Sequence, residues 1–355
     1  MGPIRITPDV ALHEAMRYSQ KLAAGLDTLR RLDDVTFGAT GKEAVYSEDK
    51  LVLYRFQRDS KATRKVPILI VYALVNRPYM VDLQADRSLV RNLQALGHEV
   101  YLIDWGYPDL SDRFLSLDDY INGYIERCAV QVAERHGLKK INLLGICQGG
   151  TFSLCYTALH PQRVENLITM VTPVDFHTPD NMLSHWTRKM DVDLFVDTLG
   201  NVPADLMNFC YLTLKPYRLN AQKYVGLVDI LDNKEEVENF LRMEKWIFDS
   251  PDQAGEAFRQ FIKDFYQGNK LAAGEVEIGG RRVDLGTLRL PVLNIYAEQD
   301  HLVPPDASRA LGKVVGSGDY SELAFRGGHI GIYVSGRAQR EVAPGIDAWL
   351  RTRSS

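Results

Sequence analysis

The feature that most constrains the fold is a series of short apolar segments separated by helical ones. Four apolar runs precede residue 175, at 67–73 (PILIVYA), 99–104 (EVYLID), 140–146 (KINLLGI) and 166–172 (NLITMVT). Such runs are typical of strands buried on both faces of a parallel sheet. The intervening helices are predicted at about 82–96, 118–136 and 151–160. The alternation predicts an α/β fold whose mostly parallel sheet is flanked by helices.

The alternation stops at about Phe176 and returns near residue 271. Between these points the sequence is rich in aromatic residues and has helical segments interrupted by Pro203, Pro216 and Pro251. After it come a Gly-Gly hairpin at 276–285, strands at 291–297 and 321–325, and a helix ending near Trp349. We therefore predict a core in two parts, 1–175 and 271–355, with a helical cap at 176–270. An amphipathic helix is predicted at 8–32, and two strands at 44–56.

Composition excludes several classes of function. The net charge of -4 and the single dense basic stretch, Lys61 to Lys65, argue against a nucleic-acid partner. The four cysteines show no metal-binding or disulfide spacing, so we expect no metal and no cofactor. The longest apolar run, Val66 to Val75, is much shorter than the roughly 20 residues of a membrane-spanning helix. These features predict a cytoplasmic protein without a transmembrane segment.

The segment from Gly145 to Gly149 (GICQG) lies where an apolar strand meets a helix. A G-x-nucleophile-x-G sequence in that position is typical of a nucleophile elbow. The glycines permit a strained turn and a close approach of its neighbours, and the helix amino terminus favours a thiolate. We therefore predict that Cys147 is a nucleophile, although a cysteine between glycines is by itself a weak signal.

An elbow nucleophile requires an acid and then a histidine at the ends of later strands. Asp300 follows the strand at 291–297, and His329 lies in a glycine-rich loop (RGGHIG) after the last strand. These two residues are the predicted partners of Cys147. His301 and Cys155 are weaker candidates, because His301 is adjacent to Asp300 and Cys155 falls within the helix after the elbow.

The oxyanion of an acyl transfer requires hydrogen-bond donors. One is the backbone N–H of Gln148, which follows the nucleophile, and Val75 is the choice for the second, in the loop after the first buried strand. The side chains of Asn76 or Arg77 are alternatives in the same loop.

A cysteine nucleophile also bears on the type of reaction. Transfer of an acyl group from a coenzyme A thioester to Cys147 exchanges one thioester for another, so the group stays activated for a hydroxyl acceptor. His329 would be the base for that acceptor. An aromatic cap is suited to exclude water, which would otherwise release a free acid.

Many segments of the chain resemble the polyhydroxyalkanoate synthases, most closely the catalytic subunit (PhaC type) of the class III enzymes. The similar segments are YSEDKLVLYRF, YALVNRPYM, DWGYPD, LDDYINGYI, NLLGICQGG, TPVDF, NFLRMEKWIFDSPDQAGE, DHLVPP and GGHIGIYVSG. The resemblance implies an α/β-hydrolase fold and a cysteine acylated in place of the lipase serine, here Cys147. It also implies His329 as general base, with Asp300 either orienting it or activating the 3-hydroxyl group.

The catalytic pattern begins close to the amino terminus, which is similar to class III rather than to classes I and II. Class III resemblance implies an acyltransferase that polymerises 3-hydroxyacyl-CoA, chiefly 3-hydroxybutyryl-CoA, into polyester. It further implies a noncatalytic companion subunit (PhaE type) and association with polyester granules, and it is compatible with a homo-oligomer. The alternatives are a cysteine-dependent hydrolase or thioesterase of the same fold and, from another class, a noncatalytic hydrolase-fold scaffold.

Overall fold

The structure, a computed structural model, describes His13, Met16 and residues 36–58, 61–214 and 223–353. The helix predicted at 8–32 lies outside these residues, except for His13 and Met16, which are helical and exposed.

Within the described ranges, eight strands form one sheet in the order β1-β2-β6-β3-β7-β8-β11-β12. The strands, including two small hairpins, are β1 (Lys42–Glu48), β2 (Leu51–Phe56), β3 (Ile68–Val71), β4 (Asp82–Gln84), β5 (Arg87–Ser88), β6 (Val100–Asp104), β7 (Ile141–Ile146), β8 (Val164–Met170), β9 (Val276–Ile278), β10 (Arg281–Val283), β11 (Val292–Ala297) and β12 (Tyr320–Phe325). β2 pairs antiparallel with both of its neighbours, β1 and β6. Every other neighbouring pair in the sheet, from β6 and β3 to β11 and β12, is parallel. The predicted mostly parallel sheet is confirmed.

The helices cover both faces of this sheet and fill the region between β8 and β9. They are α1 (Leu89–Ala95), α2 (Glu126–Arg135), α3 (Gln148–Leu159), α4 (Met182–Thr187), α5 (Val192–Leu199), α6 (Ala204–Thr213), α7 (Lys223–Ile230), α8 (Lys234–Phe248), α9 (Gly255–Gln260), α10 (Lys270–Ala273), α11 (Pro305–Arg309), α12 (Leu311–Val314), α13 (Gly331–Val334) and α14 (Gly336–Leu350). Short 3-10 helices span Pro78–Val81, Leu110–Phe114 and Leu285–Thr287, and π-helical turns span Asp119–Ile125 and Phe261–Gln267.

Strand β3 shows why the sheet is covered on both faces. Its side chains alternate, so Leu69 and Val71 pack in the layer that contains α2 and α3. Ile68 and Ile70 pack in the opposite layer with α1 and α14. All four side chains are fully buried, which explains why the run is apolar without a polar alternate position.

The prediction of a helix at 82–96 is wrong for its first half. β4 and β5 form a hairpin there, and the helix begins only at Leu89. The buried Asp82 carboxylate accepts hydrogen bonds from the Ser88 hydroxyl at 2.6 Å and from the Thr40 backbone at 2.8 Å. Ser88 also caps α1, because its hydroxyl accepts from the Arg91 N–H. These long-range bonds fix an extended segment that the apolar periodicity alone would place in the helix.

Helices α4 to α9 lie within the window predicted as a cap, and they have small apolar clusters of their own. One cluster joins Val192, Val196, Val202, Phe258 and Ile262 across α5 and α9. The backbones of Val202 and Gln253 pair with each other, N to O, at 2.9 and 3.0 Å. The cap boundaries at 176 and 270 stay a prediction.

Two features are absent from the residues that the structure describes. No helix there is long and apolar enough to cross a membrane. No group of three or more His, Cys, Asp and Glu side chains in those ranges is arranged to hold a metal ion.

Candidate active site

Cys147 occupies a strained turn between β7 and α3. Its φ of 54° and ψ of -124° are unusual for a residue other than glycine, and such strain is commonly found at functional sites. The helix begins at Gln148 instead of the predicted Thr151, so Gly149 and Gly150 belong to its first turn. Cys147 is therefore the residue at the amino terminus of a 12-residue helix, whose dipole favours negative charge on its sulfur.

The glycines of the elbow are required by close packing. A Cβ at Gly145 would lie 2.5 Å from the Ser153 Oγ, and one at Gly150 would lie 1.8 Å from the Thr172 Oγ1. At Gly149 the obstacle is backbone, because a Cβ there would lie 2.3 Å from the Val71 carbonyl oxygen. Helix α3 can thus approach β3 and the following loop only with glycine at this position.

We expect Gly149→Ala to destabilise the protein by about 1–3 kcal/mol, because the added methyl group must push α3 away from the β3 backbone. The free energy of unfolding in urea measures this effect. Gly318→Ala is the matched control, since a Cβ at Gly318 meets nothing within 4 Å. Equal stability of the two variants would contradict the packing argument.

Asp300 and His329 meet at the carboxyl edge of the sheet, after β11 and β12. The His329 Nδ1 lies 2.7 Å from the Asp300 Oδ2, and both residues are buried. The Asp300 Oδ1 accepts from the backbone N–H groups of Leu302 and Val303 at 2.8 and 3.0 Å. These bonds fix the carboxylate, and the carboxylate fixes the imidazole.

The side chain of Cys147 is a second neighbour of the imidazole, close enough to act on its pKa. Burial of His329 opposes its charged form, but the neighbouring Asp300 and Cys147 outweigh it and raise the pKa of His329 to about 10. The structure therefore brings Cys147, His329 and Asp300 together in the arrangement of a catalytic triad. Their catalytic roles stay a prediction. Cys155 is fully buried in α3, and burial raises the pKa of its thiol to about 12.

The loop after β3 carries the second predicted oxyanion donor. The Arg77 guanidinium binds the Asp104 carboxylate at 2.7 Å, and the Asn76 Nδ2 donates to the Ser250 Oγ at 2.6 Å. Both alternative side chains are thus engaged elsewhere. Within the described residues the Val75 N–H has no hydrogen-bond acceptor. The Gln148 N–H lies in the first turn of α3, where backbone N–H groups have no acceptor within the helix. Val75 and Gln148 stay the predicted oxyanion donors.

Helix α8 and the residues just after it bond to this loop at several points. We call these bonds the cap–loop contact (Asn76, Arg77, Trp246, Ser250). Trp246 Nε1 donates to the Arg77 carbonyl at 2.8 Å, and Asn76 donates to Ser250 as described above. Asn76 has a φ of 57°, a left-handed conformation that asparagine tolerates better than most residues. The end of α8 therefore restrains the loop that presents the Val75 N–H.

We expect Asn76→Gly to lower kcat for CoA release by roughly 10- to 100-fold with a smaller effect on KM, since glycine keeps the left-handed backbone but removes the bond to Ser250. Steady-state kinetics measure both constants. Tyr107→Phe is the control, because it removes a bond to Asp249 at the same helix end but keeps the ring that packs on Arg77. An unchanged kcat in Asn76→Gly would show that the cap–loop contact does not position the donor.

Four tyrosines surround the elbow, and two of them come from the predicted cap. Burial first, and the charge of Cys147 after it, raise the pKa of the hydroxyls of Tyr72, Tyr211, Tyr266 and Tyr333. In the sequence, Tyr211 and Tyr266 stand out only as members of the aromatic-rich cap window, and no signal singles out Tyr72. Tyr333 lies four residues after His329, a spacing that places two side chains on one face where the segment is helical.

Comparisons with known proteins agree with this geometry. Residues 66–335 match the family model described as the alpha/beta hydrolase fold. Among solved structures, Rv0554 from Mycobacterium tuberculosis has a TM-score of 0.52 at 14% identity, covering 86% of this chain and 96% of that one. A Paleococcus ferrophilus monoacylglycerol lipase has a TM-score of 0.50 at 16% identity, covering 85% and 99%. At these identities the structures support the fold alone.

Sequence relatives are much closer. The "Poly(3-hydroxyalkanoate) polymerase subunit PhaC" of Allochromatium vinosum is 62% identical, covering 99% of this chain and 100% of the relative. The proteins of the same name from Thiocystis violacea and Synechocystis sp. are 59% and 54% identical, covering 100% and 96% of this chain and 100% and 93% of theirs. The suspected resemblance is confirmed: the chain belongs to the family of poly(3-hydroxyalkanoate) polymerase PhaC subunits, built on the alpha/beta hydrolase fold.

Proposed function

We propose that this protein polymerises (R)-3-hydroxyacyl-CoA, chiefly 3-hydroxybutyryl-CoA, into polyester with release of CoA, and that Cys147 carries the acyl chain as a thioester. The observation that carries the proposal is the triad geometry in a chain 62% identical to a polymerase subunit. Cys147 lies beside His329, whose Nδ1 is 2.7 Å from the Asp300 Oδ2.

Acylation begins with the Cys147 sulfur as a thiolate beside the His329 imidazolium. The sulfur attacks the thioester carbonyl, and the N–H groups of Val75 and Gln148 stabilise the oxyanion. The intermediate collapses by breaking the bond to the CoA sulfur, which takes the proton from His329. One thioester is exchanged for another, so the step is close to neutral in free energy.

Condensation uses the 3-hydroxyl group of a second 3-hydroxyacyl-CoA as the nucleophile. His329 accepts the hydroxyl proton while the oxygen attacks the Cys147 thioester, and an oxoester forms as the sulfur leaves. Renewed acylation then moves the longer chain onto Cys147. Because an oxoester is made from a thioester in each cycle, elongation is favourable.

Polymer forms only where water is kept from the thioester. Tyr211 and Tyr266 come from the cap window and are close enough to Cys147 for its charge to act on them. Tyr72 and Tyr333 are buried on the core side. This enclosure supports transfer to a hydroxyl acceptor over hydrolysis.

A companion subunit of the PhaE type is part of the same proposal, as are a cytoplasmic location and association with polyester granules. Exposed apolar side chains on the cap side support these interactions, because such side chains are typical of surfaces that bind other molecules. They include Leu110, Phe114, Leu194 and Phe209. The proposed chemistry requires no metal and no cofactor.

The experiment is incubation of the full chain with 3-hydroxybutyryl-CoA, with and without a PhaE-type subunit. We expect CoA release together with insoluble polyester. Release of CoA with free hydroxy acid and no polymer would identify a thioesterase, and absence of CoA release in both mixtures would identify a noncatalytic scaffold.

A further inference from the structure

The hydroxyl group of Tyr333 is buried without a hydrogen-bond partner among the described residues. Its side chain is only 3% exposed, so bulk water does not satisfy it. A buried hydroxyl group without a partner is costly, and native proteins rarely retain one without a reason. The usual reasons are a bound water or a ligand.

Tyr333 lies in the catalytic centre. It is on α13, one turn after His329, and the two rings meet edge to face with centroids 6.4 Å apart. Burial first, and then the charges of Tyr72, Cys147 and Asp300, raise the pKa of its hydroxyl. The phenol therefore keeps its proton at the pH of the reaction and can act as a donor.

The thioester carbonyl oxygen and the 3-oxygen bind to different groups of the enzyme. In the proposed reaction the thioester carbonyl oxygen takes the two backbone N–H groups of the oxyanion hole. In condensation the 3-oxygen of the incoming second unit must come within reach of His329, because His329 accepts its proton. A donor packed against the His329 ring is thus placed for the 3-oxygen and not for the carbonyl oxygen.

We propose that the Tyr333 hydroxyl donates a hydrogen bond to the 3-oxygen of the incoming 3-hydroxyacyl unit during condensation and so holds that oxygen for attack on the Cys147 thioester. This inference rests on the proposed function. Tyr333 is a substrate-contacting residue that transfers no proton. In the free enzyme this hydroxyl has no partner among the described residues, and the 3-oxygen of the incoming unit supplies the missing acceptor.

Tyr333→Phe tests the inference, because it removes the hydroxyl and keeps the ring. Pre-steady-state CoA release from 3-hydroxybutyryl-CoA separates the acylation burst from the later elongation phase. We expect the elongation rate to fall about tenfold or more and the burst rate to stay within about twofold. Thermal unfolding should show an unchanged or higher Tm, because an unsatisfied group is removed.

Tyr101→Phe is the matched control, since Tyr101 is a buried tyrosine whose hydroxyl lies 2.9 Å from the His136 Nε2, away from the elbow. It should lower the Tm and leave the ratio of the two rates unchanged. An unchanged ratio of elongation rate to burst rate in Tyr333→Phe would overturn the inference, whether both rates fell together or neither fell. Absence of wild-type CoA release from 3-hydroxybutyryl-CoA would instead count against the proposed function.

Discussion

Cys147→Ala is expected to reduce CoA release from 3-hydroxybutyryl-CoA by roughly 10⁴- to 10⁶-fold, the loss typical of removing a catalytic nucleophile. Alanine cannot form the thioester, and no other cysteine replaces it. Cys128 and Cys155 are fully buried, and burial raises the pKa of both thiols. A thiol-reactive reagent that detects free CoA, used under initial-rate conditions, measures the effect.

Cys210→Ala is the control for this experiment, because Cys210 is a half-buried cysteine of the cap window on α6. It should retain near-normal CoA release. Near-normal release by Cys147→Ala would place the nucleophile elsewhere and remove the basis of the proposed mechanism.

Asp300→Asn is expected to lower CoA release by roughly 10³- to 10⁴-fold. The amide keeps the shape of the side chain but removes the negative charge that holds the pKa of His329 high. It also presents either oxygen or N–H₂ to the Nδ1, so the imidazole loses its fixed tautomer. Single-turnover kinetics separate the acylation burst from later elongation.

The same experiment distinguishes the two roles predicted for Asp300. Its Oδ1 accepts two backbone N–H groups and its Oδ2 faces His329, which supports action through the histidine. Loss of both burst and elongation is the expected result. A normal burst followed by no elongation would mean that Asp300 serves only to activate the 3-hydroxyl. Asp306→Asn, an exposed aspartate at the start of α11, is the control.

The buried parallel strands were predictable because each is a continuous apolar run with a helix on either side. The elbow was predictable for a related reason, since the glycines around Cys147 follow directly from β7. The start of α3 was placed three residues late, because Gln148, Gly149 and Gly150 have the composition of a turn. Their helical conformation depends on the close approach of α3 to β3, which single-sequence reasoning cannot detect.

The features that the sequence did not predict depend on contacts between residues far apart along the chain. Asn76 and Ser250 are 174 residues apart, and no local pattern pairs them. The hairpin at β4 and β5 depends on Thr40 and Ser88 binding Asp82, which is likewise a tertiary effect. The tyrosines around Cys147 come from four separate segments. Residue types and their order thus predict the triad, whereas its enclosure appears only once the chain is folded.

The central claim is that Cys147 carries the growing polyester as a thioester. Its most direct test is mass spectrometry of the peptide containing Cys147 after quenching a reaction with 3-hydroxybutyryl-CoA in acid. We predict that this peptide gains mass in whole 3-hydroxybutyryl units and loses it on treatment with neutral hydroxylamine, which cleaves thioesters. Acylation of a different residue, or polymer formation with Cys147 unmodified at every time point, would contradict the claim.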